Sequence, residues 1–165
     1  MPQNINCIPL QLPPCTLTLR PREDGYGEDV FDFTRRRYVK LTPEEWVRQH
    51  FVCYLVNHLE YPSGLIANEV EIEVGNVKKR CDTIVYDKSL QPVMLLEYKA
   101  PQVALTKATV NQALRYNLEC RVPVIVLSNG LTHMAFGMNY DDNRVSVLNH
   151  IPNYNELISD SNESS

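Results

Sequence analysis

No apolar run in the chain approaches the roughly 20 residues needed to cross a membrane, so no membrane partner is expected. The N-terminus has no basic-then-apolar stretch, so no secretory leader is expected either. The five cysteines, Cys7, Cys15, Cys53, Cys81 and Cys120, are scattered with no close pair. That spacing argues against a zinc site or a disulfide framework and for a reducing, cytoplasmic setting. The four histidines lack ligand spacing and read as structural. Internal repeats are absent too. What remains is a chain of 165 residues, long enough for one compact domain with its own core.

A net charge of −4 argues weakly against a nucleic-acid partner, but its distribution is uneven. Acids crowd the two ends (Glu23, Asp24, Glu28, Asp29 and Asp32, then Asp141, Asp142, Glu156, Asp160 and Glu163). Between Lys78 and Arg121 the bases outnumber them, and Arg35-Arg36-Arg37 with Lys40 make a second basic cluster. Either cluster alone is ordinary solvated surface. Beside the hairpin described below, they favour a nucleic-acid partner.

Residues 1–40 are proline-rich and without sustained periodicity, and read as an extended arm with a strand near Thr16–Arg20. Residues 41–151 carry the domain. Residues 152–165 read as a C-terminal tail, polar and frayed from Ser159. Within the domain, Thr42-Pro43-Glu44-Glu45 opens a helix, with Thr as N-cap, Pro at the first position and acids in the first turn. Helical spacing aligns Glu45, and not Glu44, with Val52, Val56 and Leu59. Glu45 then either faces the same site as Asp82 or only complements the helix dipole.

Ile66–Val74 alternates as a half-buried strand does, and Gly75-Asn76 turns it into the next. A central hairpin follows: Arg80–Tyr86, a turn, then Pro92–Lys99. If it is symmetric about Ser89 and Leu90, Asp82 falls opposite Glu97, with Cβ atoms about 5 Å apart. Lys99, two residues on, shares the face of Glu97. Two carboxylates and a lysine at the end of an apolar hairpin cost free energy unless a metal or substrate uses them. A second helix is expected from near Leu105 to Leu118, with Ala108, Gln112 and Tyr116 on one side and Arg115 adjacent. Pro123–Leu127 reads as a strand buried on both faces, and a closing hairpin follows. The order is α-β-β-β-α-β, an α/β sandwich with a mixed sheet.

An Asp followed by Glu-x-Lys on neighbouring strands suits metal-dependent phosphodiester hydrolysis: hard oxygen ligands for Mg²⁺ or Mn²⁺, and a lysine to orient water or neutralise charge. Asp82 and Glu97-Tyr98-Lys99 resemble the motif of the PD-(D/E)xK nuclease superfamily, with Cys81 where the name has Pro. Gln112-Ala113-Leu114-Arg115-Tyr116 is similar to the Q-x-x-x-Y motif of some of its members. Leu41–Gln49, Lys79–Asp82, Leu96–Pro101, Gln112–Tyr116 and Leu127–Gly130 together resemble the N-terminal nuclease domain of type I restriction endonuclease R subunits. The resemblance spans about residues 38–150.

It implies a restriction-endonuclease-like αβββαβ core and a metal-dependent DNA endonuclease. Asp82 and Glu97 would hold metal, Lys99 would assist the water and Glu45 would support the metal, while Gln112, Tyr116, Arg115, Lys79 and Arg80 would contact nucleic acid. Implied partners are DNA, separate restriction-modification subunits and a second copy in a homodimer. No G-x-x-x-x-G-K-[ST] phosphate loop occurs in these residues, so the ATP-driven motor of an R subunit is not expected here. The competing reading is a non-catalytic DNA-binding or assembly module that keeps the fold. An RNA-processing nuclease of the same superfamily differs only in substrate.

Overall fold

The computed structural model describes residues 7–163, with side chains to residue 160. Residues 1–6 of the expected arm and 164–165 of the expected tail lie outside them. The described chain runs β1 (Leu19–Pro21), β2 (Glu28–Asp32), β3 (Arg37–Lys40), α1 (Pro43–Asn57), β4 (Ile66–Val74), β5 (Val77–Tyr86), β6 (Pro92–Tyr98), α2 (Lys107–Leu118), β7 (Val124–Ser128), β8 (His133–Asn139), β9 (Arg144–Val147) and α3 (Tyr154–Glu163). Strands β4 to β9 form one sheet in chain order. All neighbours in it are antiparallel except β6 and β7, which are parallel and joined across α2. This is the mixed α/β architecture expected from α1-β4-β5-β6-α2-β7.

Local chemistry explains each boundary near the site. The Thr42 hydroxyl accepts from the Glu45 N–H at 3.1 Å, so α1 starts where the cap requires. Val47, Phe51 and Leu55 then repeat at helical spacing and are fully buried against Met94, Leu96 and Val126. Each such side chain contributes about 1.5–3 kcal/mol. On the other sheet face, Ile84, Leu95 and Ile125 form one cluster, and Val110 and Ala113 of α2 meet Leu127 in another. Every residue of β7 is buried, as a strand covered on both faces must be. The β5–β6 ladder pairs Thr83 with Leu96, Ile84 with Leu95 and Val85 with Met94, the register of a hairpin centred on Ser89 and Leu90. Asp87 caps the turn by accepting from the Ser89 and Gln91 N–H groups.

Three expectations are corrected. The arm is not simply extended, because β1, β2 and β3 form a three-stranded antiparallel sheet. Its pattern was hidden because Asp32, fully buried beside Val30, breaks the apolar alternation. The tail is not frayed from Ser159: Tyr154 and Leu157 bury into the core and anchor α3. Two apolar anchors in a polar run are a faint signal. Finally, Cys15 and Cys53 form a disulfide that ties the arm to α1. Their separation of 38 residues leaves no spacing motif to read.

The arm is also held by backbone. Gln11 donates to Gly130 O at 2.8 Å, and the Trp46 indole donates to Ile8 O at 2.9 Å. Gly130 has φ +83°, and a Cβ there would lie 2.7 Å from a Leu10 methyl and 3.1 Å from a Val47 methyl. Gly130→Ala should therefore cost about 1–3 kcal/mol through backbone strain alone. A fall in the urea midpoint at unchanged slope would register it, and an unchanged midpoint would contradict it.

Candidate active site

Asp82 lies one residue beyond the last β5–β6 ladder pair, across from Glu97 where the two strands part. Its position is set by the Tyr98 backbone N–H, which donates to Asp82 Oδ2 at 2.9 Å. Its other oxygen stands 3.9 Å from Arg48 Nη2. Glu97 Oε1 is 4.0 Å from Lys99 Nζ, while Glu97 Oε2 is buried and has no hydrogen-bond partner among the described residues. The Lys99 backbone N–H donates to Ser128 O at 2.9 Å, which fixes the lysine to the end of β7. The hairpin thus gathers Asp82, Glu97 and Lys99 at one end.

Both carboxyls are held above the ordinary carboxylate range. For Asp82 the main cause is burial; the Tyr98 N–H and Arg48 oppose it, and Glu69 adds to it. For Glu97 burial again dominates, Lys99 opposes it, and the Asp82 charge adds to it. Burial therefore disfavours charge on either group.

Behind this pair lies a buried ionic network. Arg48 of α1 donates to Glu45 Oε2 at 2.8 Å and to Glu69 Oε1 at 2.5 Å. Arg80 grips the other Glu69 oxygen at 2.6 Å. Arg35 joins Glu45, at 2.7 Å, to Asp32, at 2.6 Å. The Gln49 amide donates to both Glu45 and Asp32, and Thr83 donates to Asn68, which donates to Asp32. Burial alone would raise the Asp32 carboxyl. Hydrogen bonds from Thr34, the Arg35 N–H, Asn68 and the Arg35 guanidinium outweigh it and hold the group far below the ordinary range.

Glu45 is buried and Glu44 exposed, as helical spacing requires. The oxygens of Glu45 are engaged by Arg35, Arg48 and Gln49, so its link to Asp82 runs through Arg48. Lys79, expected at nucleic acid, is buried instead: its ammonium donates to Tyr116 O at 2.6 Å, lies 4.1 Å from the Tyr116 ring centroid and pairs with Glu119 at 3.1 Å. It straps α2 to β5. Arg80 is exposed beside Glu69, and Gln112, Arg115 and Tyr116 lie exposed on α2. The Tyr116 hydroxyl reaches Arg80 O at 3.4 Å, two residues from Asp82.

Sequence reasoning missed Arg48, Asp32, Asn68 and Thr83. The readable signal for Arg48 was its place three residues after Glu45, on the same helix face. Asp32, Asn68 and Thr83 come from separate strands, with no shared spacing.

The residues present fit a divalent metal. Among the described residues, no set of three or more His, Cys, Asp or Glu side chains gathers at metal-binding distance. Mg²⁺ does not require one: it commonly takes one or two carboxylates and completes its shell with water and substrate phosphate. A buried carboxylate oxygen without a partner among the described residues, opposite a second carboxylate, would make such a donor pair.

Comparison with known proteins gives the following. The family described as the type I restriction enzyme R protein N terminus (HSDR_N) matches residues 43–152. Among solved structures, a fragment assigned as an HsdR subunit of a type I restriction enzyme from Vibrio vulnificus YJ016 superposes with a TM-score of 0.51 at 17% identity. The match covers 72% of this chain and 25% of that one. No curated protein sequence matches the chain.

Proposed function

Because the chain belongs to the family of type I restriction enzyme R protein N-termini, we propose that it is the DNA-cleaving module of such a system: a metal-dependent endonuclease of PD-(D/E)xK type that hydrolyses phosphodiester bonds. The observation that carries this reading is the buried, unpartnered Glu97 Oε2 across from Asp82, with Lys99 Nζ 4.0 Å from the other Glu97 oxygen. Asp82 and Glu97 would hold Mg²⁺ or Mn²⁺. When bound, the metal supplies polarisation of a phosphoryl oxygen and acidification of a water.

The remaining work falls to the chain's own groups. The Tyr98 N–H holds one Asp82 oxygen and leaves the other beside Arg48, free of a direct hydrogen bond to it. The Lys99 ammonium, fixed through its backbone to Ser128 O, places a positive charge where negative charge grows on the phosphate and can hold the attacking water in line. Glu45 acts at a remove, by holding Arg48 near Asp82. Exposed Gln112, Arg115, Tyr116 and Arg80 would steer the strand toward the pair.

The test combines calorimetric titration of Mn²⁺ with plasmid cleavage in Mg²⁺. Wild type is expected to bind the metal and cut, Asp82→Ala to do neither, and Lys99→Met to bind the metal without cutting. Metal binding unaffected by Asp82→Ala would sink the site. DNA binding in Ca²⁺ without cleavage in Mg²⁺ would instead support a non-catalytic module.

A further inference from the structure

We propose that strand β3 and Arg80 form a phosphate-binding wall for duplex DNA beside the Asp82–Glu97–Lys99 site, an inference that rests on the nuclease reading above. A groove of about 730 Å³ runs between β3, the start of α1 and strands β4 and β5. Its charged lining is Arg35, Arg37, Lys40 and Arg80 against Glu45 and Glu69. The two acids are already neutralised, Glu45 by Arg35 and Arg48, Glu69 by Arg48 and Arg80. Arg37 and Lys40 are exposed, and among the described residues neither is in an ion pair, though Lys40 acts through space on exposed Asp24. The groove therefore presents surplus positive charge on a chain whose net charge is −4.

Two lining residues, Arg80 and Glu69, tie the groove to Asp82. Arg80 precedes Asp82 by two residues on β5, about 6.6 Å along the strand. Glu69, on the groove wall, shares Arg48 with Asp82. Among the described residues, the lining contains no aromatic side chain. Unstacked single strands are normally gripped by aromatic platforms, whereas a duplex is gripped at its phosphates by Arg and Lys. The occupant that fits is a duplex backbone. Arg37 and Lys40 precede the family-matched residues 43–152, so this side of the wall is supplied by the arm.

The experiment is fluorescence anisotropy of a labelled DNA duplex in Ca²⁺ across a salt series, with wild type, Arg37→Glu/Lys40→Glu, Arg37→Gln/Lys40→Gln, and Lys88→Glu as control. Lys88 is exposed in the β5–β6 turn, at the opposite end of the hairpin from Asp82. The double reversal is expected to weaken binding about ten-fold or more at low salt and to flatten the log–log salt slope by about 2, one for each phosphate no longer neutralised. The glutamine pair should fall between it and wild type, and Lys88→Glu should match wild type. Wild-type binding equalled by the double reversal would overturn the wall and leave the nuclease reading intact. Loss in the double reversal with no wild-type cleavage in Mg²⁺ would keep the wall and overturn the nuclease. No wild-type binding at any salt would overturn both, and tighter binding of an RNA duplex would overturn DNA as the occupant.

Discussion

Asp82→Asn and Glu97→Gln are each expected to remove cleavage, by about 10³-fold or more, while making the metal-free protein more stable. Burial raises both carboxyls, and Asp82 further raises Glu97. The folded state therefore binds these protons more tightly than the unfolded state does. Below the ordinary carboxylate pKa of about 4 both states are protonated and nothing is lost. As pH rises from there through the raised folded values, the unfolded chain releases its protons first and stability falls. Above that window the wild type carries the full penalty of charged, half-buried groups. The neutral isosteres remove it, a gain in the range of about 0.5–2 kcal/mol for such changes.

Urea titrations at pH 8 and pH 4 would show the variants ahead of wild type at the higher pH and level with it at the lower. Metal should reverse the ranking, since a ligand at a hundred times its Kd stabilises by about 2.7 kcal/mol. Mg²⁺ is then expected to raise the wild-type melting temperature and leave Asp82→Asn where it was. A less stable Asp82→Asn at pH 8 without metal would show that the carboxylate serves the fold rather than a cation.

The hairpin was legible because its information is local. Apolar β-formers on either side of Asp87–Gln91 fix the strands, and symmetry about Ser89 and Leu90 gives the observed Thr83–Leu96 register. Thr42-Pro43 marked the start of α1, and helical spacing separated buried Glu45 from exposed Glu44. The network behind the site was not legible, because its members come from the arm, α1, β4 and β5, and each alone reads as surface charge. Asp32 looked like part of an acidic end, yet it is fully buried among donors. Lys79 erred the other way, a basic neighbour of Arg80 whose ammonium turns inward to the end of α2. Periodicity reports which face a residue occupies, but not which distant partner is waiting there.

Arg48→Met is expected to cost about 3–5 kcal/mol, the range for removing one member of a buried ionic set. Arg48 is only 4% exposed and serves three acids at once: Glu45 at 2.8 Å, Glu69 at 2.5 Å and Asp82 at 3.9 Å. Glu45 would keep Arg35, and Glu69 would keep Arg80. Asp82 would keep only the Tyr98 N–H and the more distant Lys99, and so would lose its nearest opposing charge. Its carboxyl should rise further, because Arg48 is one of the influences holding it down. Metal binding requires the charged form, so the pH at which Mn²⁺ affinity reaches half its maximum should move upward. Arg48→Lys would restore a cation but not the fork that spans Glu45 and Glu69, recovering part of the pH shift and less of the stability. Calorimetric Mn²⁺ titration from pH 5 to pH 9, beside urea melts of both variants, separates the two effects. Lost stability with an unmoved pH midpoint would confine Arg48 to the fold; a shift with both would make it the residue through which α1 sets the charge of Asp82.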